Sequence, residues 1–110
     1  PFDNVIVEGV KTQALFDTGC TITIIDWSIF KRLKKKPKLF PPPFKIQTAN
    51  QTYMPVLGWA HMNIILGGVA CSRPITVVRN MNTGCIIGID TMIDEGITFD
   101  MTNKKILYQT

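Results

Sequence analysis

An Asp-Thr-Gly tripeptide, Asp17-Thr18-Gly19, stands between two apolar runs, Ala14-Leu15-Phe16 ahead of it and Ile22-Thr23-Ile24-Ile25 behind it. Each run is short and the second is rich in β-branched side chains, so both read as strands. A chain that must bury a strand on either side of a tight turn is committed to a sheet at this point. The turn also carries chemistry. An Asp placed there has its carboxylate held by neighbouring backbone N–H groups and the Thr hydroxyl, while Gly19 lets the chain pass close behind it. Asp17 is therefore the candidate catalytic carboxylate, placed for acid–base work on water.

The remaining sequence repeats the strand theme. Val5 to Glu8 and Thr12 to Phe16 predict a hairpin joined at Gly9, which delivers Asp17 at its far end, and Thr21 to Ile25 predicts the strand leaving the turn. Asp26 is a good N-cap for a short helix over Trp27 to Leu33, in which Trp27, Phe30 and Leu33 fall three apart. Pro37 and Pro41-Pro42-Pro43 then impose an extended connector. Phe44 to Thr48 and Tyr53 to Gly58 flank the polar turn Ala49-Asn50-Gln51-Thr52, a hairpin arm in which Pro55 marks an edge or mobile ribbon and Gly58, with the break at Pro55, is expected to let the arm move. Met62 to Leu66 and Val69 to Cys71 predict another hairpin around Gly67-Gly68, and Ile75 to Val78 a further strand. Cys85-Ile86-Ile87-Gly88-Ile89 reads as a buried strand whose Gly admits a second backbone segment. Asp90 is read as the cap of a helix over Thr91 to Glu95 that Gly96 ends. Alternation from Ile97 to Thr102 and the run Lys105 to Tyr108 give two closing strands.

With 110 residues the chain has the length of one domain, too short for two lobes. It is 45% apolar and 18% charged, with no run near the roughly 20 apolar residues of a membrane helix and no signal-peptide pattern. A soluble globular domain is expected, with no membrane partner. Pro1 in first place fits a chain cut from a longer precursor or trimmed at its start. The net charge of +4 is uneven: Lys31, Arg32, Lys34, Lys35, Lys36 and Lys38 supply six of twelve basic residues, leaving six against eight acidic. That run is read as a solvated helix end and loop rather than a nucleic-acid contact. Cys20, Cys71 and Cys85 are an odd number without C-x-x-C spacing, which points to neither a disulfide framework nor a zinc site and makes a reducing compartment the default.

Two separately placed motifs in this order resemble the retropepsin-like aspartic proteases of retroviruses and related retrotransposons. Leu15-Phe16-Asp17-Thr18-Gly19-Cys20-Thr21 matches the active-site loop of that family, and Cys85-Ile86-Ile87-Gly88-Ile89-Asp90 with the following helix matches its late apolar-apolar-Gly element. The hairpin from Phe44 to Leu57 occupies the place of the family's flap. The resemblance runs from Val5 to about Phe99. It implies a mostly β fold, a closed β-barrel or sandwich with one or two short helices and a flap hairpin, active as a symmetric homodimer. It also implies an aspartic endopeptidase acting on a polyprotein, with neither metal nor other cofactor, in the cytoplasm or inside virus-like particles.

In such an enzyme Asp17 of each subunit meets its copy on the dimer axis and shares a water. The physics agrees: two carboxylates about 3 Å apart cannot both ionise, so one acts as base on the water while the other protonates the substrate carbonyl. One tripeptide per chain thus predicts a twofold dimer with the site across its interface. Asp26, Asp90 and Asp100 lack a Gly-backed loop and are poor partners within the chain. The resemblance further implies that Thr18 bonds across the axis and that Gly19 offers its carbonyl to the peptide. Asn50, Gln51 and Thr52 are assigned to the flap tip. An extended peptide would pair through its main chain, its side chains alternating toward Thr21, Ile22, Ile24 and Ile87, which favours apolar residues at the scissile bond.

The sequence departs from the family where its retroviral members place acids just after the tripeptide and an Arg after the late Gly. Thr21, Ile22 and Ile89 stand there, so that salt bridge has no counterpart. His61 is read as a surface or packing residue, Trp27 and Trp59 as core, and Cys20 as a small core residue that would act as a redox brake only if exposed. The rival to the enzyme is a non-catalytic module, the same barrel kept for dimerisation or for binding a peptide or RNA.

Overall fold

The turn at Glu8-Gly9 decides the first hairpin. Glu8 (φ 44°) and Gly9 (φ 82°) both adopt left-handed backbone, the geometry whose twist matches that of two paired strands. β1 (Phe2–Val7) and β2 (Val10–Phe16) accordingly run antiparallel, with Val7 opposite Val10 and Phe2 opposite Leu15. Glu8 is not a glycine, and tertiary bonds hold it in this conformation: its N–H donates to the Asn63 carbonyl at 2.8 Å and its carboxylate accepts from the Asn63 N–H at 2.6 Å. The geometry is that of a computed structural model, which describes residues 1–42, 46–47 and 53–109.

After β2 come β3 (Ile24–Asp26), α1 (Trp27–Phe30), the short pair β4 (Ile46–Gln47) and β5 (Tyr53–Met54), and the long β6 (Val56–Leu66) and β7 (Val69–Val78). The chain ends with β8 (Cys85–Ile87), α2 (Ile89–Asp94), β9 (Thr98–Asp100) and β10 (Lys105–Leu107). Six strands form a closed barrel in the order β1-β2-β8-β3-β7-β6, and Ile6 opposite Ile65 closes β1 on β6. The mostly β barrel with two short helices is the architecture expected from the sequence. β6 shows why it closes: Ala60, Met62, Ile64 and Leu66 are buried while His61, Asn63 and Ile65 are exposed, the period of two that puts one face inward. Val5, Val7, Phe16, Ile25, Ile75, Val77 and Ile87 meet these side chains in the core, and Ile29 and Phe30 of α1, Leu33 just beyond it and Met92 of α2 cap it. Burying each large aliphatic side chain contributes about 1.5–3 kcal/mol.

Several local expectations change. The strand after the tripeptide starts at Ile24, because the Cys20 and Thr21 carbonyls accept from the late element instead of from a neighbouring strand. The first helix ends at Phe30; Lys31 to Leu33 continue as turns, although Leu33 still buries its side chain. β7 is continuous from Val69 to Val78 and passes through Pro74. Pro74 is tolerated because β3 pairs only with Thr76 to Val78, so β7 at Pro74 is an edge with β6 alone beside it. Gly58, expected to let the hairpin arm move, is instead buried, and a Cβ there would lie 2.6 Å from the Phe40 carbonyl oxygen. It admits the Leu39-Phe40 segment, which bridges to Trp59 through bonds of 2.8 and 3.1 Å. The six cations from Lys31 to Lys38 are exposed, and Lys36 Nζ donates to the Leu33 carbonyl at 2.9 Å. No helix among the described residues is long and apolar enough to cross a membrane.

Candidate active site

β2 lies parallel to β8, with Phe16 opposite Ile87, and the ladder runs one bond further: the Asp17 N–H donates to the Ile87 carbonyl at 3.0 Å. The chain then turns sharply. The Cys20 N–H returns to the Asp17 carbonyl at 3.1 Å, and the Gly19 N–H donates to Asp17 Oδ1 at 2.8 Å. The carboxylate is thus oriented by the backbone of its own loop, leaving its other oxygen for chemistry. A Cβ on residue 19 would sit 3.1 Å from Asp17 Oδ1, tight enough to disturb that orientation. Thr18 is exposed, and its hydroxyl has no hydrogen-bond partner among the described residues.

The far side of the loop is clamped by α2. Its N-cap is Gly88, not Asp90, and no side chain caps it. The free N–H groups of its first turn, which every helix must satisfy, go to the loop: Ile89 donates to the Cys20 carbonyl at 2.8 Å and Asp90 to the Thr21 carbonyl at 3.3 Å. Gly88 is the close approach foreseen in the sequence, since any Cβ there would collide with the Ile22 carbonyl. Asp90, freed from capping, accepts from the Thr23 hydroxyl at 2.9 Å and from the Thr91 N–H at 2.7 Å.

The sequence-derived site residues separate into three groups. Asp17, Thr18, Gly19, Thr21 and Ile22 lie on one continuous loop. Ile24 and Ile87 have no exposed surface; their side chains pack inward behind the loop and present nothing to an open cleft of the single chain. Asn50, Gln51 and Thr52 lie outside the described residues, although their flanks, β4 and β5, pair antiparallel with Gln47 opposite Tyr53. A shallow apolar hollow beside Thr18 is lined by Ile89, Met92, Ile93, Phe99 and Met101. A second hollow, between Phe2, Phe99 and Ile106, opens on the same β9–β10 hairpin.

Three thiols are free. Burial pushes the Cys20 thiol up, and it donates to the Ile22 carbonyl at 3.1 Å; burial alone pushes Cys85 to about 12. His61 is exposed and stands edge-on to Trp59 at 5.9 Å, far from any nucleophilic arrangement. Among the described residues no three His, Cys, Asp or Glu side chains converge as metal ligands.

Sequence reasoning missed Arg73, Thr23 and Thr91, which form the polar support of this loop. Arg73 had a signal: it shares the strand register of Ile75 and Val77, an apolar face on which a cation must find partners. Its Nη1 donates to Asp94 at 2.7 Å and its Nε to the Thr91 hydroxyl at 3.3 Å.

A six-stranded barrel with an Asp-Thr-Gly loop braced by a late Gly-helix element defines the retropepsin-like aspartic protease fold. The chain is similar to EIAV protease, solved in complex with the inhibitor HBY-793, with a TM-score of 0.78 at 18% identity over 92% of each chain. It is also similar to the retroviral protease-like domain of Ddi1 from Leishmania major, with a TM-score of 0.76 at 14% identity over 98% of this chain and 82% of that one. At these identities the likeness is one of fold. No curated protein matches the sequence. The sequence model of the gag-polyprotein putative aspartyl protease family matches residues 4–93, and the chain belongs to that family.

Proposed function

We propose that the protein is an aspartic endopeptidase that works as a twofold homodimer and cuts extended segments of a polyprotein of the retroviral or retrotransposon Gag-Pol kind, its own precursor included. The observation that carries this reading is the Asp17 carboxylate, oriented by the Gly19 N–H on a loop whose Thr18 borders an unpartnered apolar surface. Ile93 is 72% exposed, Met101 81% and Phe2 53%, side chains that a second copy would cover with a gain of about 25 cal/mol per Å² buried. Across that face two Asp17 side chains would share one proton and one water, one removing a proton from the water as it attacks the peptide carbonyl, the other protonating the carbonyl oxygen. Thr18 of each copy would bond across the axis, and Gly19 would receive the peptide main chain. Thr21 and Ile22 would meet the substrate's side chains, with Asn50, Gln51 and Thr52 closing over it. Three free thiols fit action in the cytoplasm or inside a virus-like particle.

Incubation of the purified chain with a peptide library, with dimerisation followed by sedimentation, tests the reading. The expected result is cleavage at apolar sites with a bell-shaped pH profile, lost by at least about a thousandfold in Asp17→Asn. A verified dimer that cuts no peptide, or an Asp17→Asn variant that cuts as well as the parent, would leave a non-catalytic binding module instead.

A further inference from the structure

Arg73 has a side chain only 11% exposed, and a guanidinium so covered requires partners for its donors. It finds them on a single helix. Nη1 donates to Asp94 Oδ2 at 2.7 Å at the end of α2, Nε donates to Thr91 Oγ1 at 3.3 Å, and Nη2 stands 3.9 Å from Asp90 Oδ2 in the first turn. Thr91 Oγ1 lies 2.6 Å from Thr23 Oγ1, and both threonines are fully buried. Thr23 Oγ1 in turn lies 2.9 Å from Asp90 Oδ1 and accepts from the Gly88 N–H at 3.2 Å.

The direction of these bonds follows from their ends. Arginine only donates and a carboxylate only accepts. The Thr23 proton must therefore go to Asp90, so the Thr91 proton must go to Thr23, and Thr91 keeps its oxygen for Arg73. The bonds run from Arg73 to Thr91, to Thr23 and to Asp90, whose second oxygen faces Arg73 again. Each threonine hydroxyl in this ring both donates and accepts, and Asp90 also takes the Thr91 N–H. The ring spans three elements: β7, α2 and the segment that leaves the Asp17 loop. Thr21, Ile22 and Ile89 are uncharged, so no ion pair of their own fixes that segment.

We infer that Arg73 is a positioning residue for the Asp17 loop: by closing this ring it sets α2 on the loop, so that Ile89 and Asp90 reach the carbonyls of Cys20 and Thr21 and Gly88 seats against Ile22. Arg73 touches neither Asp17 nor the hollow beside Thr18, and it acts only through α2 and Thr23. The consequence for cleavage rests on the protease reading above; the consequence for loop order does not.

The test compares Arg73→Met, Arg73→Lys and Thr23→Val in the full chain. In Arg73→Met, hydrogen exchange at the Gly88 and Thr23 amides is expected to accelerate about tenfold while Val5 and Ile64 in the barrel keep their protection. Exchange at Gly88 and Thr23 that stays at the parental rate overturns the inference, whether or not the parent cuts peptides. With an active parent, kcat should fall about tenfold with a smaller change in KM, as misplaced catalytic groups produce. Arg73→Lys, which keeps the charge but not the fork, should recover part of that loss. Combining Arg73→Met with Thr23→Val should cost little more than the worse single change, because both open the same ring. Fully additive losses, or an Arg73→Met variant with parental kcat, overturn the inference while leaving the protease reading standing. If Arg73→Met does not fold, Arg73→Lys carries the exchange measurement with the same two outcomes.

Discussion

The two short helices do the same job at the end of a strand and are anchored in opposite ways. α1 is capped by one side chain: Asp26 Oδ2 accepts from the Ser28 N–H at 2.9 Å, and Oδ1 takes the Met81 N–H at the same distance. α2 has no side-chain cap, and its first N–H groups are satisfied by carbonyls of the Asp17 loop. A helix capped by its own neighbour in sequence is a local structural unit. A helix capped by a distant loop makes that loop part of itself, so whatever disturbs one end moves the other. The first helix is thus anchored from its own strand, while the second is anchored through the Asp17 loop.

The largest test of this contrast is Gly88→Ala. The added Cβ meets the Ile22 backbone, with the Ile22 nitrogen 2.8 Å away, and a main chain pinned from both sides cannot yield. A loss of about 3 kcal/mol is expected from denaturant midpoints, with the Asp17 loop losing amide protection first. A variant as stable as the parent would break the claim that α2 and the loop are one object.

Next comes Asp26→Ala, expected to cost about 1–2 kcal/mol through the lost cap and the stranded Met81 N–H while leaving exchange at Gly88 untouched. Its pH signature sharpens the comparison. Burial pushes the Asp26 carboxyl up, but bonds from Ser28 and Met81 outweigh it and leave the group below its ordinary 3.8. A folded-state value below the unfolded one stabilises fully above about pH 5 and is lost as the pH falls through the folded value. Thermal midpoints of the parent and Asp26→Asn should therefore converge toward acid; a constant gap would contradict this account. The smallest effect belongs to Asp94→Asn. That side chain is 59% exposed, and its pair with Arg73 should be worth about 0.5 kcal/mol and fade with salt. A loss several times larger would make the outer end of α2 an anchor equal to its inner end.

Local chemistry was legible in the sequence, and distant pairing was not. The Glu8-Gly9 turn, the Asp26 cap and the close approach at Gly88 each rest on residue types whose backbone or hydrogen-bonding habits act within a few positions. Thr23 and Asp90 are 67 residues apart, and neither carries a local sign of the other. Asp90 followed by Thr and Met looks like a cap, and it became a partner for Thr23 only because Gly88 had already taken the capping position. Val69 to Cys71 and Ile75 to Val78 read as two strands, and the fold carries one through Pro74, since one-sided pairing removes the penalty that a proline brings to a sheet interior. Gly58 looked like freedom of motion because a sequence cannot show that Phe40 lies against it. Arg73 was legible in principle, as a cation in the register of Ile75 and Val77.

The parallel pairing of β2 with β8 also sets a timetable. Phe16 pairs with Ile87, whose carbonyl also takes the Asp17 N–H, and Tyr108 bonds to Asp3 across 105 residues. Contacts of such separation form late and slowly during folding. As the polypeptide emerges during synthesis, Asp17 is made well ahead of Ile87, so the Asp-Thr-Gly tripeptide exists before the strand that gives it its shape.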